Sequence, residues 1–157
     1  MMERVISSED FEHYTYLKQI LSDLDLTDKE FWWLISDLEA YPQKKEYEEL
    51  LYRDSCLLIK NSDFVQMLNE DDFQWVWGVF SAIPSKYSKE EILEYDLPCL
   101  QIIDEGNYNP YSDEPRLQHP LAEFELYAVD STDMFVIASG DLINRFKKSY
   151  PKYKSKY

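Results

Sequence analysis

Residues 121–140, LAEFELYAVDSTDMFVIASG, constrain the fold more than any other stretch of the chain. Two apolar-rich arms flank Asp130, Ser131, Thr132 and Asp133. Their short polar side chains bond their own backbone, so the pattern predicts an antiparallel hairpin closed by a loop of about four residues. In the first arm Ala122, Phe124, Leu126 and Ala128 alternate with Glu123, Glu125 and Tyr127. Successive side chains of a strand point to opposite faces, so the alternation predicts a sheet packed on one side and wet on the other.

Upstream the spacing changes to that of helices. Phe11, Tyr14, Leu17, Leu21 and Leu24 recur three to four positions apart behind Ser7 and Ser8, which predicts a helix ending near Leu24. Thr27-Asp28-Lys29-Glu30 spells a capping box and predicts a second helix to about Glu39, with Phe31, Leu34, Ile35 and Leu38 inward and Trp32 and Trp33 pointing apart. Residues 46–54 fit a short helix, 55–59 a buried strand, and 62–68 a helix capped by Ser62. The aromatic and β-branched run 73–83, FQWVWGVFSAI, predicts a central strand, with Gly78 at a bulge or a close backbone contact and Pro84 at its end. Ser88-Lys89-Glu90-Glu91 is another capping box, opening a helix to Tyr95, and 99–103 read as a strand. Residues 104–120 have no periodicity and read as a long loop; after the hairpin Asp141 opens a last helix, and from Ser149 a basic tail follows. The predicted class is α+β: N-terminal helices on a mainly antiparallel sheet of about four to five strands, then a C-terminal helix. One domain is expected over 1–150, with the tail at 151–157.

Charge narrows the function. All 31 acids but only 10 of the 16 Lys and Arg lie in residues 1–144, a net of −21, while residues 145–157 carry six bases and no acid. Such a field repels nucleic acid and anionic membranes and speeds encounter with cationic partners. Cys56 and Cys99, in apolar surroundings without a partner motif, read as buried thiols, which fits a cytoplasmic setting. The N-terminus lacks the basic end and apolar run of a signal peptide, and the longest apolar stretch, 75–80, is too short to span a bilayer. A soluble chain, used whole, is the expectation.

Groups for catalysis are few. His119, followed by Pro120, is a candidate metal ligand or proton carrier if Asp104, Glu105 or Glu123 stands beside it, but its spacing matches no metal motif. Three glycines leave no phosphate-cradling loop, and no G-x-S-x-G elbow is present. Neither an enzyme nor a bound cofactor or metal is therefore expected. Acids mixed with aromatics in irregular segments are more telling: Asp104, Glu105, Tyr108, Tyr111, Asp113 and Glu114 in the long loop, and Glu70, Asp71 and Asp72 before the tryptophan-rich strand. Tyrosine gives contact area at low entropic cost and carboxylates pair with Lys and Arg, so these nine residues are the predicted surface for a basic protein partner.

In its size, its acidic body, its α+β layout and the acidic-aromatic segment 104–114, the chain resembles the small immunity proteins that bacteria make beside secreted toxins. The element order is also similar to that of the SUKH superfamily, without its L-P-x-x-Y and N-G signature. The resemblance implies neutralisation of one cognate toxin by stoichiometric occlusion, carboxylates standing in for substrate phosphates and tyrosines filling the cleft. Two other readings stay open: an adaptor or homodimer that binds through the sheet face of Glu123, Glu125 and Tyr127, and a hydrolase or metal enzyme using His119.

Overall fold

The computed structural model describes residues 1–8, 15–100 and 108–155. Its elements are β1 (Glu3–Ser7), α1 (Leu17–Asp23), β2 (Phe31–Tyr41), α2 (Lys45–Tyr52), β3 (Cys56–Lys60), α3 (Asn61–Glu70), β4 (Gln74–Pro84), α4 (Lys89–Ile92), β5 (Phe124–Val129), β6 (Asp133–Ala138) and α5 (Asp141–Ser149). The strands form one six-stranded sheet in the order β1-β6-β5-β4-β2-β3. Every pairing is antiparallel. The chain is thus α+β with an antiparallel sheet, as expected, but with more strands than the sequence patterns indicate.

β1 and β2 are the strands that the sequence patterns miss, and β2 replaces a predicted helix. Phe31 to Tyr41 is β2, and the T-D-K-E box before it opens no helix. Aromatic and branched side chains suit a pleated surface, and pairing with β3 and β4 on both sides outweighs the local capping signal. Trp32 and Trp33 do point apart, because neighbours on a strand face opposite ways: Trp33 is fully buried and Trp32 half-buried. Near the N-terminus β1 precedes the expected helix and ends on Ser7, one of its two expected caps, and only α1 remains of that helix; Phe11 and Tyr14 lie outside the described residues. Cys99 and Leu100 are not in a strand, and the rest of that expected strand is likewise outside the described residues.

One sheet face carries the helices. Leu17 and Leu21 of α1, Phe64 and Met67 of α3 and Phe146 of α5 pack with Trp33, Ile35, Trp75, Phe80 and Leu126. The opposite face is covered by irregular chain and the short α4. Val79, Tyr127, Phe135 and Ile137 meet Leu100, Tyr111 and Leu117, while Leu34 and Ile83 meet Ile92, Leu97 and Leu121. The expected wet face of β5 is therefore an interior: Glu125 and Tyr127 are both fully buried, and only Glu123 is exposed. An alternation of charged and apolar residues reports which side chains share a face, not whether distant chain covers it.

The tail pairs with the edge of the sheet. Lys154 and Ile6 exchange both backbone hydrogen bonds, at 2.8 and 2.7 Å, along the outer edge of β1. Lys147 adds an ion pair to Glu3 at 3.6 Å.

Candidate functional site

The irregular layer is held to the sheet by polar side chains that rise from it. On β1 the buried Arg4 donates from Nε to the Pro110 carbonyl (2.6 Å) and from Nη2 to the Asp113 carbonyl (2.7 Å). On β2 Ser36 Oγ donates to the Pro98 carbonyl (2.6 Å), and Asp37 Oδ2 accepts from the Leu100 amide (2.7 Å). On β5 the Glu125 carboxylate accepts four bonds: from the amides of Gln118 (2.6 Å) and His119 (3.1 Å), from Tyr127 (3.0 Å) and from Ser81 (2.7 Å). Burial nevertheless pushes the Glu125 pKa up, because desolvation penalises its charged form more than these donors relieve it. Burial, reinforced by the Glu125 charge, also drives the Tyr127 hydroxyl well above its ordinary value.

His119 belongs to this fastening. It is fully buried, its Nε2 donates to the Ile92 carbonyl (2.9 Å) and its Nδ1 accepts from the Leu121 amide (3.1 Å). The carboxylate at its backbone is that of Glu125 rather than Glu123. Both ring nitrogens are engaged within the fold. Among the described residues, no group of three or more His, Cys, Asp and Glu is placed to hold a metal ion.

The acidic run before β4 also acts within the molecule. Asp71 is buried and accepts from the amides of Gln43 (2.9 Å) and Lys44 (3.0 Å), which secures the start of α2 and leaves it no surface to offer a partner. Glu70 accepts from Tyr47 and pairs with Lys44 at 3.8 Å. That hydrogen bond holds the Glu70 carboxyl below its ordinary value and the Tyr47 hydroxyl up at about 12. Asp72 accepts a backbone bond from Lys18 in the first turn of α1, although partial burial raises its pKa. Glu70 and Asp72 remain exposed. This cluster sits where the helices meet β4, whereas Tyr111 of the tyrosine-bearing segment packs against the opposite face of the sheet.

In that layer Tyr108 is taken up by Arg116: its hydroxyl donates to the Arg116 carbonyl (3.1 Å) and accepts from the Arg116 amide (3.0 Å), with the guanidinium 4.3 Å from the ring centre. Asp113 accepts from the Asn109 amide at 2.8 Å, and Glu114 is exposed. Asp104 and Glu105 lie outside the described residues. Tyr111 is different. It is half-buried, its ring meets Phe135 edge-on at 5.8 Å, and burial followed by the nearby Asp37 charge pushes its pKa up to about 12.

Tyr111 stands at a concavity of about 440 Å³ that it lines with Asp37, Leu38, Glu39, Trp77 and Leu100. A double irregularity creates this opening. Between the pairs Ser36–Val79 and Glu39–Trp77, β2 runs one residue ahead of β4; between Glu39–Trp77 and Ala40–Trp75 the surplus is on β4. Asp37 takes up the first with a φ of +51°, a left-handed conformation that Asp tolerates better than most residues. Trp75 and Trp77, two apart and on one face in a regular strand, are thereby sent to opposite faces, Trp75 into the helix-side core and Trp77 to the mouth of the concavity. Gly78 beside it is closely packed: a Cβ would sit 3.0 Å from the Phe80 ring, which would have to give by a few tenths of an ångström.

Two carboxylates and two aromatic rings around one opening are groups of the kind that can hold a cation. An ammonium or guanidinium gains charge-assisted hydrogen bonds from Asp37 and Glu39 and the negative ring faces of Trp77 and Tyr111. Only Tyr111 of this group is among the residues predicted from sequence. Asp37, Glu39 and Trp77 go unnoticed there because LISDLEAY reads as helix, in which two acids mark a solvent face. The available signal is the interruption of an apolar run by two acids opposite a tryptophan-glycine step. No protein-family model, no curated protein and no solved structure matches the chain.

Proposed function

We propose that the chain is a binding protein that receives a basic protein partner, with a Lys or Arg side chain of that partner seated between Asp37, Glu39, Trp77 and Tyr111. The single observation that supports this most is the joining of two carboxylates and two aromatic rings in one concavity, within a body of net charge −21 over residues 1–144. Asp113 and Glu114, in the same layer as Tyr111, extend the acidic approach. Long-range attraction brings the partner in, and the rings give the contact its shape.

The resemblance to immunity proteins makes the partner a toxin domain. Occlusion follows from the chemistry: carboxylates hold the catalytic Lys, Arg or His that otherwise meets substrate. This reading takes the protein as a cytoplasmic, non-catalytic inhibitor. No described helix is long and apolar enough to cross a membrane, which fits that setting.

The test is capture from the source cell with the tagged native protein and with Asp37→Asn/Glu39→Gln, at low and moderate salt. The introduced asparagine keeps an acceptor for the Leu100 amide, so the variant loses charge but not the fastening. One dominant basic protein, retained at moderate salt by the native chain and lost by the variant, is the expected result. Equal capture by both removes the concavity from the reading, and a salt-labile scatter of cationic proteins removes the specific partner.

A further inference from the structure

The two edges of the sheet are finished differently. Lys154 pairs with the outer edge of β1, but β3 closes the other side with no strand beyond it among the described residues. An uncovered edge offers its backbone N–H and C=O groups to an added strand. Along β3 runs a groove of about 560 Å³. Leu50 and Leu57, from the helix-side core, form one wall; Leu58 and Leu97, from the opposite layer, form the other, together with Leu93, which is 50% exposed. A strand added there sends alternate side chains to the two walls.

Charge identifies the occupant. Arg53 and Lys89 line the groove against one acid, Asp54, and Lys60 ends β3. The ammonium groups of Lys60 and Lys89 each lie 5.6 Å from the Trp32 ring, so one indole carries two cations. Neither lysine forms an ion pair among the described residues. Glu90, Glu91, Glu94 and Asp96 of the neighbouring segment are not part of the lining. In a body this acidic, cations left unpaired beside an open edge favour an anionic strand.

We propose that the β3 edge is a second docking site, which adds an antiparallel strand from an acidic partner protein whose apolar side chains fill the groove and whose Asp or Glu side chains meet Lys60, Lys89 and Arg53. This site is carried by observations independent of the Asp37–Glu39 concavity and stands or falls separately.

Selection of displayed random ten-residue peptides against the full chain tests it, with binders mapped by amide chemical shifts. Peptides rich in Val, Ile and aromatics together with Asp or Glu are expected, with shifts centred on β3 and Trp32. Lys60→Glu/Lys89→Glu should weaken their binding at least tenfold with an unchanged circular dichroism spectrum; if that variant misfolds, Lys60→Gln/Lys89→Gln should weaken it at least threefold. Basic peptides, binders that map elsewhere, undiminished binding to the variants or no binders at all would overturn the proposal. Self-association that these variants abolish would assign the edge to a second copy and overturn it as well.

Discussion

At Glu125 burial and hydrogen bonding pull in opposite directions. Four donors favour the carboxylate, desolvation favours the acid, and the folded pKa lies above the ordinary 4.5. Folding therefore favours the protonated form; the stability this site adds is full below pH 4.5 and is lost as pH rises through the folded value. Glu125→Gln keeps the shape but turns an amide NH₂ toward donors, which should cost about 1–3 kcal/mol in urea denaturation at acid pH. The gap between the two proteins should narrow toward neutral pH, where the native carboxylate carries its desolvation cost. A gap that widens with pH would mean that the four donors outweigh burial. Asp71 gives a second contrast: Asp71→Ala leaves the Gln43 and Lys44 amides unpaired and should cost about 1–3 kcal/mol. Glu70→Gln, at an exposed carboxylate, should change stability little. Equal losses at both positions would refute the division of that run into a buried anchor and a surface acid.

Among the elements, the tail's hold on β1 rests on backbone bonds rather than on its three positive charges. Removing residues 152–157 takes away the two Lys154–Ile6 bonds and should lower stability by about 1–3 kcal/mol with little dependence on salt. A loss seen at low salt and absent at moderate salt would assign the hold to charge instead. How far the elements are legible in the sequence follows from the same distinction between local and distant causes. The β5–β6 hairpin, β4, α2, α3 and α5 are readable because neighbours in sequence decide them, and the Ser88 box is realised in both halves, with Glu91 returning the bond. β1 and β2 are not, because Val5 pairs with Val136 and Trp33 with Ala82, partners that no local window contains. The candidate site divides likewise: Tyr111 stands out in its loop, while Asp37, Glu39 and Trp77 converge only through the register shift between β2 and β4. Glu125 reads as wet because its cover is irregular chain without periodicity.

For the molecule as a whole, the acidic field and the concavity make one statement about partners. On the proposed reading, the field sets how fast a cation arrives, and the rings and carboxylates set where it stays. Association with a basic partner should slow as ionic strength rises, while dissociation responds mainly to Trp77 and Tyr111. The reverse assignment, measured by stopped flow, would separate the concavity from the contact. The central claim is that Asp37, Glu39, Trp77 and Tyr111 receive a cationic side chain, and the four indole N–H resonances of the tryptophans test it most directly. On titration with N-acetyl-arginine amide, the Trp77 indole should shift, with Trp33 and Trp75, both fully buried, unmoved. The neutral citrulline analogue should have no effect, and Asp37→Asn/Glu39→Gln should abolish the response. A silent Trp77, or an equal response to citrulline, would contradict the account.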